Sequence, residues 1–143
     1  MKKILGTAAL ALLCLGQASA LEPISAIHGS GRWKGEIYAV SPSFSYHLAV
    51  QWNPETDVAP LAVPKAIAAA RAELKKMVGD AQAHFACVEV KIAMENGYWF
   101  YVVMFYSEHP LVATMGKVGI IPASLPFIVH LDGTVEPPFK KLN

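Results

Sequence analysis

The sequence FACVEVKIAM-ENG-YWFYVVMFY, residues 85–106, decides the fold of this chain. Two runs rich in β-branched and aromatic residues flank Asn96-Gly97, a dipeptide that suits the positive φ angles of a two-residue type I′ turn. This pattern is the strongest short-range signal of a β-hairpin. We therefore predict two antiparallel strands that join at Asn96-Gly97.

The loop length sets the register of this hairpin. A two-residue loop places Glu95 opposite Tyr98 and Met94 opposite Trp99. One face then combines residues that we expect a helix to cover: Val88, Val90, Ile92, Met94, Trp99, Tyr101, Val103 and Phe105. The opposite face combines Cys87, Glu89, Lys91, Ala93, Phe100, Val102, Met104 and Tyr106.

The second face of the hairpin is too apolar to be left in contact with water alone, so it needs a cover. Three covers are consistent with the sequence: the N-terminal strands, a second protomer or a ligand. Because aromatic side chains carry much of the energy of protein interfaces, we treat part of this face as a candidate binding face. Its members are Phe100, Val102, Met104, Tyr106 and Lys91.

The first 20 residues have the pattern of a secretory signal peptide: a basic start at Lys2-Lys3, an apolar run over 4–15 and the small-x-small site Ala18-Ser19-Ala20. We expect cleavage after Ala20 and a periplasmic or secreted protein that is soluble once cleaved. An uncleaved anchor is the alternative, although the run is short for a membrane span.

Without Lys2 and Lys3, the chain has 10 basic and 11 acidic residues, and this balance argues against a nucleic-acid partner.

The rest of the chain supplies one helix and further strands. Residues 32–40 and 44–52 are predicted to form a hairpin, with an ordered coil over 32–40 as the alternative, and the helix is predicted to begin near Pro64 and to end at Gly79. Its apolar stripe consists of Ile67, Ala70, Leu74, Met77 and Val78.

The connection 107–124 is long, with a short strand at 118–121. The last clear strand covers 125–131, with Pro126 at its start or on an edge, and Asp132-Gly133 turns the chain toward Thr134-Val135.

These elements predict a single α+β domain over residues 21–143, with one main helix on an antiparallel sheet of four to six strands. The expected order is β-β-α-β-β-β in two layers. Residues 21–31 and 137–143 are expected to be irregular. A cystatin-like shape, or a sheet like that of nuclear transport factor 2, wrapped on one helix, is a near alternative.

No combination of residues in the sequence indicates catalysis, a metal or a cofactor. The five histidines show no short metal-ligand spacing, and a site assembled in space from His47, His84 and His130 is the weaker alternative. Only Cys87 is left after signal cleavage. We expect it to be a small buried hydrophobic residue, and an intermolecular disulfide is the other interpretation.

Residues 60–135 resemble a PepSY-type domain of exported bacterial proteins. The resemblance consists of a proline before an Ala-rich helix (63–68), the strand 87–90, the Gly-aromatic-aromatic strand from Gly97 to Phe105, and the closing LDGTV at 131–135. It implies a binding or protease-restraining module without catalytic residues.

The leading functional hypothesis is an exported, non-enzymatic module that binds an unknown protein or peptide through a sheet surface or edge. A pocket for a small molecule or lipid between helix and sheet, with or without enzymatic activity, is the second hypothesis. Dimerisation of two copies through the sheet is the third.

Overall fold

A computed structural model describes residues 26–43, 52–108 and 122–142 of the chain. Strands β1 (Gly29–Trp33) and β2 (Glu36–Val40) come first, and helix α1 (Val63–Val78) continues into a 3₁₀ helix (Gly79–His84). The strands that follow are β3 (Ala86–Glu95), β4 (Tyr98–Ser107), β5 (Ala123–His130), β6 (Val135–Glu136) and β7 (Phe139–Lys140). The predicted α+β class is confirmed.

The central hairpin forms as predicted. Strands β3 and β4 pair antiparallel, with Glu95 opposite Tyr98 and Met94 opposite Trp99. The turn residues Asn96 and Gly97 have φ angles of 51° and 81°, the left-handed values that a type I′ turn requires.

A β-bulge changes the register at the start of β3. The pairing shifts between Cys87 and Glu89, so that Cys87 lies opposite Phe105 and Val88 is the extra residue. Cys87 therefore packs against the core on the helix side, and our assignment of Cys87 to the opposite face was wrong. Its thiol is free and half-buried.

Strands β5 and β6 complete a four-stranded antiparallel sheet in the order β3-β4-β5-β6. The Asp132-Gly133 turn is also confirmed: Gly133 has a φ of 92°, and the Asp132 carboxylate accepts the Thr134 N–H at 2.8 Å. Pro126 lies opposite Met104 in the part of β5 that β6 does not reach, as expected for a proline without an N–H to donate.

Helix α1 begins with proline in its first turn and ends at Gly79, whose N–H bonds the carbonyl of Lys75. Its buried residues are Ala66, Ala70 and Leu74, and the two small alanines allow it to lie close to the sheet. From the same helix, the Arg71 guanidinium donates to the Phe85 carbonyl at 3.0 Å and lies over the Phe105 ring. Arg71 therefore connects the helix to the start of β3.

The main core lies between α1 and the four-stranded sheet. Besides the helix residues, it contains fully buried side chains from the alternate positions of β4 and β5: Tyr101, Val103, Phe105, Leu125, Phe127 and Val129. The predicted helix-facing residues of β4 are thus confirmed.

The N-terminal strands differ from the prediction. Residues 29–40 contain a complete hairpin that turns at Lys34-Gly35, because both residues adopt positive φ angles there. The predicted partner strand at 44–52 lies almost wholly outside the described residues, as do the signal segment and the predicted strand at 118–121.

A second, three-stranded sheet has the order β1-β2-β7. Two expectations of irregular structure therefore need correction, because Gly29–Trp33 is a strand and Phe139–Lys140 pairs with β2 beyond Pro137-Pro138.

The three-stranded sheet packs on β4 and β5, on the face opposite α1. Val40 there forms a cluster with Phe100, Val102 and Ile128. Trp33 and Tyr38 also contact the core on the helix side.

Candidate functional site

The N-terminal hairpin covers the most apolar part of the predicted binding face. Phe100 is 1% exposed and Val102 is 2% exposed, in one cluster with Val40 and Ile128. These two residues are core residues and are not available to a partner. Of the three possible covers, the N-terminal hairpin is the one that lies over Phe100 and Val102.

The remaining residues of the predicted binding face are accessible to different degrees. Met104 and Tyr106 are half-buried, and Lys91 is exposed on β3. The Tyr106 hydroxyl donates to the Glu108 carboxylate at 3.2 Å. A binding role for these three residues stays a prediction.

Two histidine–glutamate pairs lie beside Phe100. The first joins the start of β1 to the hairpin tip, with His28 Nε2 at 2.6 Å from the Glu95 carboxylate. The same carboxylate accepts the Ala26 N–H at 2.8 Å. The His28 ring meets Phe100 edge-on, with the ring centroids 4.9 Å apart. This pair therefore closes one end of the contact between the hairpin and the sheet.

The second pair joins β5 to β6, with His130 Nε2 at 2.5 Å from the Glu136 carboxylate. The Phe100 and His130 ring centroids are 6.5 Å apart. Glu136 also accepts the Ser43 N–H at 3.0 Å, which holds the segment after β2 against β6. Both pairs are largely shielded from water, with side-chain exposures of 14–18%. The bonds described here connect the N-terminal segment, β3, β5 and β6, which gives both pairs a structural role.

A row of accessible apolar side chains lies on β3. The strand order makes β3 an outer strand, and within the described residues no strand bonds to its outer side. Val88, Ile92 and Met94 are 56%, 47% and 52% exposed. We call the outer side of residues 88–94 the β3 edge.

Charged side chains alternate with this apolar row. Glu89 and Lys91 are both exposed and point to the sheet face opposite α1, because they pair with Met104 and Val102. The β3 edge therefore presents apolar residues on one face of the sheet and one acidic and one basic residue on the other.

The sequence interpretation missed this surface because it assigned Val88, Ile92 and Met94 to the face that the helix covers. The buried residues of α1 pack against β4 and β5, and β3 lies to one side of them as an outer strand. A single helix is about 10 Å wide and strands are about 4.8 Å apart, so one helix cannot cover all four strands of the sheet. The prediction of a single helix on a sheet of four or more strands was the signal that could have revealed an uncovered outer strand.

An open cavity of about 410 Å³ lies at the other side of the sheet, between the N-terminal hairpin and β5. Ser30, Gly31, Arg32, Ile37, Pro122 and Ser124 line it. The pocket hypothesis concerned the space between helix and sheet. There the buried residues of α1 belong to one continuous core with β4 and β5.

Among the residues that the structure describes, no three His, Cys, Asp or Glu side chains are grouped so that they could hold a metal ion. No helix over 26–43, 52–108 and 122–142 is long and apolar enough to cross a membrane.

Comparison with known proteins gave no relative. No protein-family model, no curated protein and no solved structure matches the chain. The resemblance of residues 60–135 to PepSY-type domains therefore stays a prediction.

Proposed function

We propose that this chain is an exported, non-enzymatic binding module that pairs an extended segment of a protein partner with the β3 edge. The observation that carries the proposal is the long outer strand with three half-exposed apolar side chains, Val88, Ile92 and Met94. Native proteins usually protect such edges, because unpaired N–H and C=O groups are a template for another strand.

The register of the hairpin indicates which backbone groups are offered. In a hairpin closed by a two-residue loop, the pair next to the loop, Glu95 and Tyr98, is hydrogen-bonded, and bonded pairs alternate from there. Val90, Ile92 and Met94 therefore direct their N–H and C=O groups away from β4. An added strand would bond these three residues.

The side chains of the β3 edge favour a particular kind of segment. A strand that binds by addition gains affinity from backbone bonds and specificity from its alternate side chains. The row of Val88, Ile92 and Met94 would contact apolar residues at every second position of the partner. The signal peptide predicted before residue 21 and the non-catalytic role that the PepSY resemblance implies both agree with this proposal.

A proline substitution tests the proposal. Ile92→Pro removes an N–H that points to the outer side, so the β3–β4 hairpin keeps its own bonds while an added strand loses one. Ile92→Val keeps the N–H and is the matched control. The three proteins are used in parallel to select a phage-displayed random-peptide library and to capture proteins from periplasmic extract.

We expect peptides with alternating apolar residues to bind the wild-type protein and Ile92→Val, and to lose at least tenfold in affinity for Ile92→Pro. Circular dichroism checks that the proline variant is folded. Selected peptides and captured proteins that bind Ile92→Pro as well as wild type would place the binding surface elsewhere and refute the proposal.

A further inference from the structure

We infer that the segment that pairs with the β3 edge is the β3 edge of a second copy of this chain, antiparallel and with the two-fold axis at Val90. This inference depends on the proposed function, since it names the partner of the same surface. It follows from the order of charged and apolar residues along β3.

Residues 88–92 read Val-Glu-Val-Lys-Ile and are self-complementary when two copies run in opposite directions. With Val90 opposite Val90 of the second copy, Glu89 lies opposite Lys91 of the second copy, and Lys91 lies opposite its Glu89. Both residues are exposed in the single chain. Opposite charges directly across an antiparallel pair stabilise it.

The backbone agrees with the same axis. The N–H and C=O of Val90 point to the outer side, so Val90 and its copy would form a hydrogen-bonded pair on the axis. Glu89 and Lys91 then belong to non-bonded pairs, in which Cα atoms are about 4.5 Å apart and side chains are closest. Each dimer thus gains two close ion pairs.

Charge also argues against the neighbouring registers. An axis at Lys91 would place two lysines opposite each other. An axis at Ile92 would place Glu89 opposite Glu95 of the second copy. The Glu95 carboxylate already bonds His28 and the Ala26 N–H of its own chain, so Glu89 of the second copy would meet a carboxylate and no cation. Like charges in direct opposition destabilise strand pairing.

The apolar row is covered in the Val90 register. Val88 lies opposite Ile92 of the second copy, and Met94 lies beside the start of its β3, beyond the bulge, so the exposed apolar residues of the two copies lie together. The two four-stranded sheets would join into one continuous eight-stranded sheet. The two Cys87 residues would lie toward opposite ends of the paired segment, so this dimer contains no disulfide between them.

Charge reversal tests the pairing in solution. Sedimentation velocity over a dilution series, with reductant present, measures the dimer dissociation constant of the wild type, Glu89→Lys, Glu89→Lys/Lys91→Glu and the control Glu55→Lys. Glu55 is exposed and remote in sequence from β3. We expect about a tenfold weaker dimer for Glu89→Lys, recovery in the double variant, and no change in the control.

Cysteine pairing tests the register. In a Cys87→Ala background, Glu89→Cys and Lys91→Cys are oxidised separately and as a mixture. The Val90 axis predicts a covalent dimer in the mixture and little in either variant alone, because each new thiol then faces the other variant's position. Ile92→Cys alone should not cross-link, and Lys75→Cys on the exposed surface of α1 is the control for random collision.

The outcomes separate this inference from the proposed function. A monomer at all concentrations whose peptide capture is lost in Ile92→Pro would refute the self-pairing and leave the binding module. The Val90 register would also be refuted by a dimer that exists only without reductant, or by one that is as stable in Glu89→Lys as in the wild type. A dimer that cross-links through Ile92→Cys alone would refute it as well. A wild-type protein that stays a monomer at all concentrations and captures no peptide or protein would refute both proposals.

Discussion

At the scale of single residues, Gly31 marks a close approach between the two sheets. A Cβ atom built there would lie 2.2 Å from the Ser124 carbonyl oxygen and 2.7 Å from its carbonyl carbon. Gly31 therefore allows β1 to reach β5, and the Ser124 hydroxyl accepts the Arg32 N–H at 3.3 Å beside it. No local pattern in the sequence marks this glycine, because the constraint comes from a residue more than 90 positions away.

We predict that Gly31→Ala lowers the free energy of unfolding by about 1–3 kcal/mol, because the obstacle is backbone and cannot rotate away. Gly29→Ala is the matched control. Its Cβ would meet side-chain atoms of Pro126 and Val102 at 3.2 and 3.4 Å, so its loss should be smaller. Urea denaturation measures both. Equal stability of Gly31→Ala and wild type would contradict the close approach.

A second residue-scale contact anchors the start of the helix. The buried Tyr101 hydroxyl donates to the Leu61 carbonyl at 2.7 Å, just before α1 begins. Burial raises the pKa of Tyr101, so the neutral hydroxyl is the form that the folded protein favours. A raised pKa contributes stability below the ordinary tyrosine pKa of about 10, and that contribution is lost as the pH rises beyond it.

We predict that Tyr101→Phe costs about 1 kcal/mol at neutral pH, because the Leu61 carbonyl loses its donor. The wild type should also lose stability above a pH of about 10, and Tyr101→Phe should show a smaller decline. Chemical denaturation from neutral to alkaline pH measures both effects. Tyr98→Phe, at an exposed tyrosine, should keep the wild-type decline. Identical curves for Tyr101→Phe and wild type would contradict the role of this hydroxyl.

At the scale of elements, the β3–β4 hairpin follows from its turn. Gly97 has a φ of 81° and no atom within 4 Å of an added Cβ, so its requirement for glycine is purely conformational. We predict that Gly97→Ala costs about 1–2 kcal/mol of unfolding free energy through backbone strain alone. Thermal denaturation of the variant measures this loss.

Asn96→Gly is the control for the turn, because Asn96 already has a φ of 51° and glycine adopts that angle freely. It should stay within about 0.5 kcal/mol of the wild type. A Gly97→Ala protein as stable as Asn96→Gly would indicate a turn other than type I′ and a different register for the β3 edge.

At the scale of the whole molecule, the His28–Glu95 pair connects the N-terminal segment to the hairpin tip, 67 positions apart in the sequence. It closes the hairpin over Phe100, so we predict that its loss loosens the smaller sheet. In a double-mutant cycle of His28→Ala and Glu95→Ala, we expect a coupling of about 1 kcal/mol. Hydrogen exchange should accelerate at the amides of β1 and β2.

A cycle between His28 and Glu73 is the control, because Glu73 bonds Lys76 on the helix and is remote from the pair. Its coupling should be close to zero. Additive losses in the His28–Glu95 cycle would show that the two residues stabilise the fold independently and that the pair does not hold the hairpin in place.

The sequence by itself determined the features that depend on neighbouring residues. Asn96-Gly97 set the turn and register of β3 and β4, Pro64 and Gly79 set the ends of α1, and Asp132-Gly133 set the last turn. These predictions were correct because φ preferences and the alternation of side chains act over a few residues.

Only the tertiary structure decided which of these surfaces stay exposed. The N-terminal hairpin buries Phe100 and Val102, the bulge at Val88 moves Cys87 to the core, and the position of α1 over β4 and β5 leaves Ile92 and Met94 uncovered. Burial depends on contacts between segments that are far apart in the chain, and no local pattern encodes them. The apolar pattern of β3 and β4 could be predicted from the sequence. Which of its residues stay accessible depends on where α1 and the N-terminal hairpin pack on the sheet.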